Sequence, residues 1–67
     1  HMIEVTTSSQ INEFRSNEQL IQSIENSDEK IFIYKFAAKN IEDTKKLIKY
    51  VETFKEKIKN ITTDFNH

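Results

Sequence analysis

Any chemistry in this chain has to come from very few side chains, and the two histidines are the first to weigh. They are His1 and His67, the first and last residues, and neither position makes a convincing metal ligand or base. Cysteine is absent, so disulfides, thiol chemistry, zinc sites and Ser-His or Cys-His nucleophile pairs lack their parts. Carboxylates remain. Glu42 and Asp43 are adjacent, and on a helix their side chains diverge by about 100°, too far apart to face each other across a substrate. Glu52 and Glu56 are four apart and would share a helix face. Lys45, Lys49, Lys55 and Lys59 surround them, however, and a solvated ion-pair surface accounts for all six. Asp28, Glu29 and Asp64 read as turn residues. The expectation is a protein with no catalytic residue, no metal and no cofactor: not an enzyme.

Glycine and proline are also missing altogether. Phosphate-cradling loops need glycine for close backbone approach, so nucleotide binding of that kind is excluded. Every turn must be made from Asn, Asp, Ser and Lys. Nine of the ten basic residues are lysine, but acids are interleaved with them and the net charge is −1. That balance speaks against a nucleic-acid partner, which usually meets a distinctly basic protein. No apolar run approaches the roughly 20 residues of a membrane span, and no leader is visible, so no membrane partner and a cytoplasmic location are expected. Asn60-Ile61-Thr62 fits a glycosylation sequon that such a location leaves unused.

The elements that must position these residues come next. His1-Met2 reads as a cloning scar, leaving 3–67 as one small domain. A chain this short buries only about 60% of its unfolded surface, yet ten isoleucines and seven aromatics supply a core. Residues 30–37, "KIFIYKFA", carry the clearest pattern. Phe32, Tyr34 and Phe36 point to one side of a strand, with Ile31, Ile33 and Ala37 on the other, which predicts a strand covered on both faces. From Ile41 to about Lys59 the period becomes three and four, an amphipathic helix with apolar Ile41, Leu47, Ile48, Val51, Phe54 and Ile58. Asn40 is its expected N-cap, and Asp43 the capping-box acid. Ser16-Asn17-Glu18-Gln19 predicts a second capping box, opening a helix that buries Leu20, Ile21 and Ile24 and ends near 26–28. Residues 10–15 could form a strand or a helical turn anchored by Ile11 and Phe14. "IEVTT" at 3–7 is β-prone, and 58–65 reads as a strand with Ile61, Thr63 and Phe65 on one face. The resulting order, β-α-β-α-β, predicts a small α/β unit with a three-stranded, partly parallel sheet.

The stretch "SNEQLIQSIENSDEKIFIYKFAAKN", the helix after it and "IKNITTDFN" together resemble the first half of a thioredoxin-fold protein, the bacilliredoxin-like branch above all. The resemblance spans roughly residues 10–66 and rests on the order of elements. It implies a thioredoxin-like half whose redox cysteines would fall on Ile41 and Thr44, or on Asn40 in the bacilliredoxin register. With no thiol at any of the three, and without the cis-proline half, it implies a redox-inactive chain.

The aromatics then carry the functional expectation. Most belong to the core, but three strands and two helices leave apolar surface and strand edges over, which invite another chain. The sequence therefore predicts a protein-binding module that docks on another protein and forms a homodimer, with Phe32, Tyr34 and Tyr50 as partner-binding residues. An inhibitor or regulator from a bacterium or phage would suit so small a chain. The alternative is a truncated or degenerate thioredoxin-like fragment with a purely structural role.

Overall fold

The computed structural model of the chain describes residues 1–64. Strand β1 (Met2–Thr7) leads to a one-turn helix α1 (Asn12–Arg15) and strand β2 (Leu20–Asn26). Strand β3 (Ile31–Ala37), helix α2 (Ile41–Glu52), a 3₁₀ turn (Lys55–Lys57) and strand β4 (Ile58–Asp64) follow. The four strands form one sheet in the order β2-β3-β1-β4, and every neighbouring pair is antiparallel. This is the β-α-β-β-α-β connectivity of two interleaved split β-α-β units. Strands joined through a helix run the same way, but another strand always lies between them.

The expected thioredoxin-like half with a three-stranded, partly parallel sheet is thereby corrected. The change traces to residues 20–26, read as a helix and found as a strand. Leu20, Ile21 and Ile24 fit a helical stripe, yet the polar turn after them closes a hairpin onto Ile31–Ala37, pairing Ile24 with Ile33 and Ser23 with Tyr34. Strand pairing overrides the local helix signal. The capping residues do other work: the Ser16 hydroxyl donates to the Asn12 and Glu13 carbonyls, closing α1. Asn17 Oδ1 accepts the Gln19 N–H at 2.8 Å, a local Asx turn. The hairpin turn, lacking glycine, places Lys30 in left-handed backbone at φ 55°.

Alternation along β1 and β3 puts Ile3, Val5, Thr7, Phe32, Tyr34 and Phe36 on one face, all buried. Leu47 and Val51 of α2 and Ile11 and Phe14 around α1 cover them. Both helices lie on this face, so the second correction concerns β3: it is covered on one side, and Ile31, Ile33 and Ala37 on the other are only half-buried.

Asn40 caps α2 as expected, its Oδ1 accepting the Asp43 N–H at 2.8 Å. The helix is shorter than its periodicity predicts. After Glu52 the backbone tightens into i→i−3 bonds, Thr53 N–H to Tyr50 and Phe54 N–H to Val51. Phe54 docks on Phe14 at a ring-centroid distance of 5.0 Å, and Ile58 begins β4 opposite Thr7. At the other end Ile41, expected in the apolar stripe, is exposed, and Thr44 is buried in the stripe. Phe65, expected to share a face of the last strand with Ile61 and Thr63, lies outside the described residues.

Candidate functional site

The junction between β3 and α2 is where an α/β protein would place reactive groups. Here it forms an open depression of about 630 Å³, lined in part by Gln19, Ile21, Ala37, Lys39 and Asp43. Gln19 and Asp43, two of its polar side chains, are held in a structural network. Asp43 Oδ2 accepts the Lys39 N–H and the Gln19 side-chain amide, each at 3.0 Å. The same amide donates to the Ala37 carbonyl at 3.3 Å, while Ala37 N–H donates to the Gln19 carbonyl at 2.9 Å. The network ties the start of β2 to the start of α2. Glu42 is exposed beside it, and Glu52 and Glu56 do not share a helix, because α2 ends at Glu52. Among the described residues no cluster of acids and histidines could hold a metal ion, and no helix is long and apolar enough to cross a membrane.

Phe32, Tyr34 and Tyr50, the expected partner-binding residues, all sit on the helix-covered side. Phe32 is 7% exposed and Tyr34 0%; Tyr50 is half-buried against the core. The Tyr34 hydroxyl accepts the Ile11 N–H at 2.9 Å, satisfying a buried backbone donor. Burial pushes the Tyr34 phenol above its ordinary value near 10. The Ile11 N–H opposes that shift, and the fields of Glu25 and Arg15 act in opposite senses. Tyr34 and Tyr50 both pack on the ring of Phe14, and Phe32 is buried in the same core.

The surface open to another molecule is β2. It is an edge strand, hydrogen-bonded to β3 alone among the described residues. Leu20 at its start is half-buried against the core beside the single turn of α1, and Ile21 to Asn26 are exposed on both faces. Inward-facing Ser23 and Glu25 are polar, so no core is left bare. The apolar exposure is Ile21 at 56% and Ile24 at 46%. Ile24 lies beside Ile33, and half-buried Ile31 extends the patch along β3. Further across the open face the row Gln22, Lys35, Glu4, Thr62 is polar, with the Lys35 ammonium 3.9 Å from the Glu4 carboxylate. The opposite edge, β4, carries Lys59, Asn60 and Thr62, all exposed, and a register shift where β1 passes Thr6 to Thr7.

Sequence reasoning missed β2 as an exposed edge strand because it took these residues for a helix. The signal was present in "LIQSI" followed by "ENSDEK", a β-branched run entering a polar turn before a strong strand. No family model matches this chain, and neither a curated protein nor a solved structure does.

Proposed function

We propose that this chain is a non-enzymatic, redox-inactive binding module that docks on a partner protein through the free edge of β2. The supporting observation is the exposure of that strand along its length. It has a strand neighbour on one side only among the described residues, Ile21 to Asn26 are exposed on both faces, and Ile21 and Ile24 add apolar side chains. An edge of this kind accepts an extended segment: main-chain hydrogen bonds supply affinity and alternate side chains supply selectivity. The strand has no lysine and no proline, the residues that commonly guard an edge. The β3–α2 junction supports the same reading, since its Gln19 amide and Asp43 carboxylate are engaged in tying the start of β2 to the start of α2.

The test is affinity capture from the host cell with the wild-type chain and with Ile24→Lys as baits. Ile24 is half exposed, so the variant folds, with an unchanged circular dichroism spectrum. The expected result is a protein retained by the wild type and lost by the variant. Identical capture by the two baits would overturn docking through β2.

A further inference from the structure

We infer that the occupant of the β2 edge is a second copy of this chain, paired antiparallel about a twofold axis at Ile24. The inference rests on the docking role proposed above and deepens it.

Two features decide between stacking on the open face and adding to the edge. The middle of the open face holds the Lys35–Glu4 pair at 3.9 Å, both side chains substantially solvated. Stacking another sheet there would remove both charges from water, which costs more than an exposed pair returns. Edge pairing leaves that pair wet. It also uses only the regular part of β2, since the register against β3 shifts between Leu20 and Gln22 and runs evenly from Gln22 to Asn26.

Within that stretch the side chains select one register. Centred on Ile24, the two copies place Ile24 on Ile24, Gln22 on Asn26 and Ser23 on Glu25. Ile24 already neighbours Ile33, so one apolar row of four isoleucines would cross the seam. Gln22 and Asn26 would meet as amides, and each Glu25 carboxylate would face a serine hydroxyl. Centring on Glu25 sets the two carboxylates directly opposite, a destabilising arrangement. Centring on Ser23 puts Ile24 against Gln22 and Glu25 against Ile21, at the irregularity. Of these three registers the Ile24 one alone is self-complementary in both apolar and charged positions, as a twofold interface requires.

The absence of cysteine from the chain makes single-cysteine coupling an unambiguous probe. Residues directly opposite in an antiparallel pair are about 4.5–5.5 Å apart at Cα, within disulfide reach. With oxidised glutathione at micromolar protein, Ile24→Cys is expected to form a linked dimer at least about tenfold faster than Thr62→Cys on the opposite edge, because association precedes coupling. A mixture of Gln22→Cys and Asn26→Cys should couple across variants faster than either couples with itself. Equal rates for Ile24→Cys and Thr62→Cys, or a wild type that sediments as a monomer at high micromolar concentration, would overturn self-pairing. That failure is separable from failure of the docking role. A monomeric chain whose Ile24→Lys variant still loses its captured protein keeps the edge as a docking site with a different occupant.

Discussion

Tyr34 combines three jobs in one side chain. Its ring fills the inner face of β3, its edge meets Phe14 at a centroid distance of 5.3 Å, and its oxygen accepts the Ile11 N–H. Tyr34→Phe keeps the first two and removes the third, leaving a buried donor unmatched. The expected loss is about 1–3 kcal/mol, measured by urea unfolding. The same residue sets a pH dependence. Its folded pKa is raised, so the folded state holds the phenol proton more tightly than the unfolded chain. This contribution to stability is complete below about 10, the unfolded value, and disappears as pH rises through the folded value. Urea midpoints taken between pH 8 and 11 should fall over that window in the wild type. Tyr34→Phe should fall less.

Among the elements, α2 shows what a capping signal can and cannot say. Asn40→Ala removes the acceptor for Asp43 N–H and should destabilise the fold by about 1 kcal/mol, read from thermal or urea unfolding. That cap was legible because Asn, an acid three residues on and an apolar repeat all agreed. The Ser16 box carried the same kind of signal and had the opposite outcome. Its hydroxyl reaches back to Asn12 and Glu13, ending one helix where it seemed to start another. Local letters do not say on which side of a serine the helix lies. The strands at 2–7, 31–37 and 58–64 were legible from alternation and β-branching. The hairpin partner of β3 was not, because Leu20, Ile21 and Ile24 suit both periods. Ile24 pairs with Ile33, nine positions on, a contact that no pattern within 20–26 announces. With 20–26 taken as helical, the surplus aromatics became the expected partner-binding residues; Phe32 and Tyr34 lie buried in the core, while Ile21 and Ile24 of β2 are exposed.

On the scale of the molecule, the two helices divide the work unequally. The one-turn α1 exists to deliver Phe14, whose ring touches Tyr34, Phe36, Tyr50 and Phe54. A core of this size supplies roughly 3–5 kcal/mol in total. Phe14→Ala should remove about 3–5 kcal/mol, the whole of that margin. The variant is expected to be largely unfolded at room temperature, with collapsed amide dispersion in a proton–nitrogen correlation spectrum. A well-dispersed native spectrum would show that the aromatic cluster is not the keystone of the fold.

The pairing of β1 with β4 has a consequence in time. Met2 sits opposite Asp64, sixty-two positions later, and β1 also waits for β3 on its other flank. On the ribosome, the earliest-made strand therefore stays solitary while the β2–β3 hairpin, which needs only a short loop, can close first. The β2–β3 pair at one edge forms first, β1 then joins β3, and β4 closes the other edge last, so a central strand waits for partners made after it.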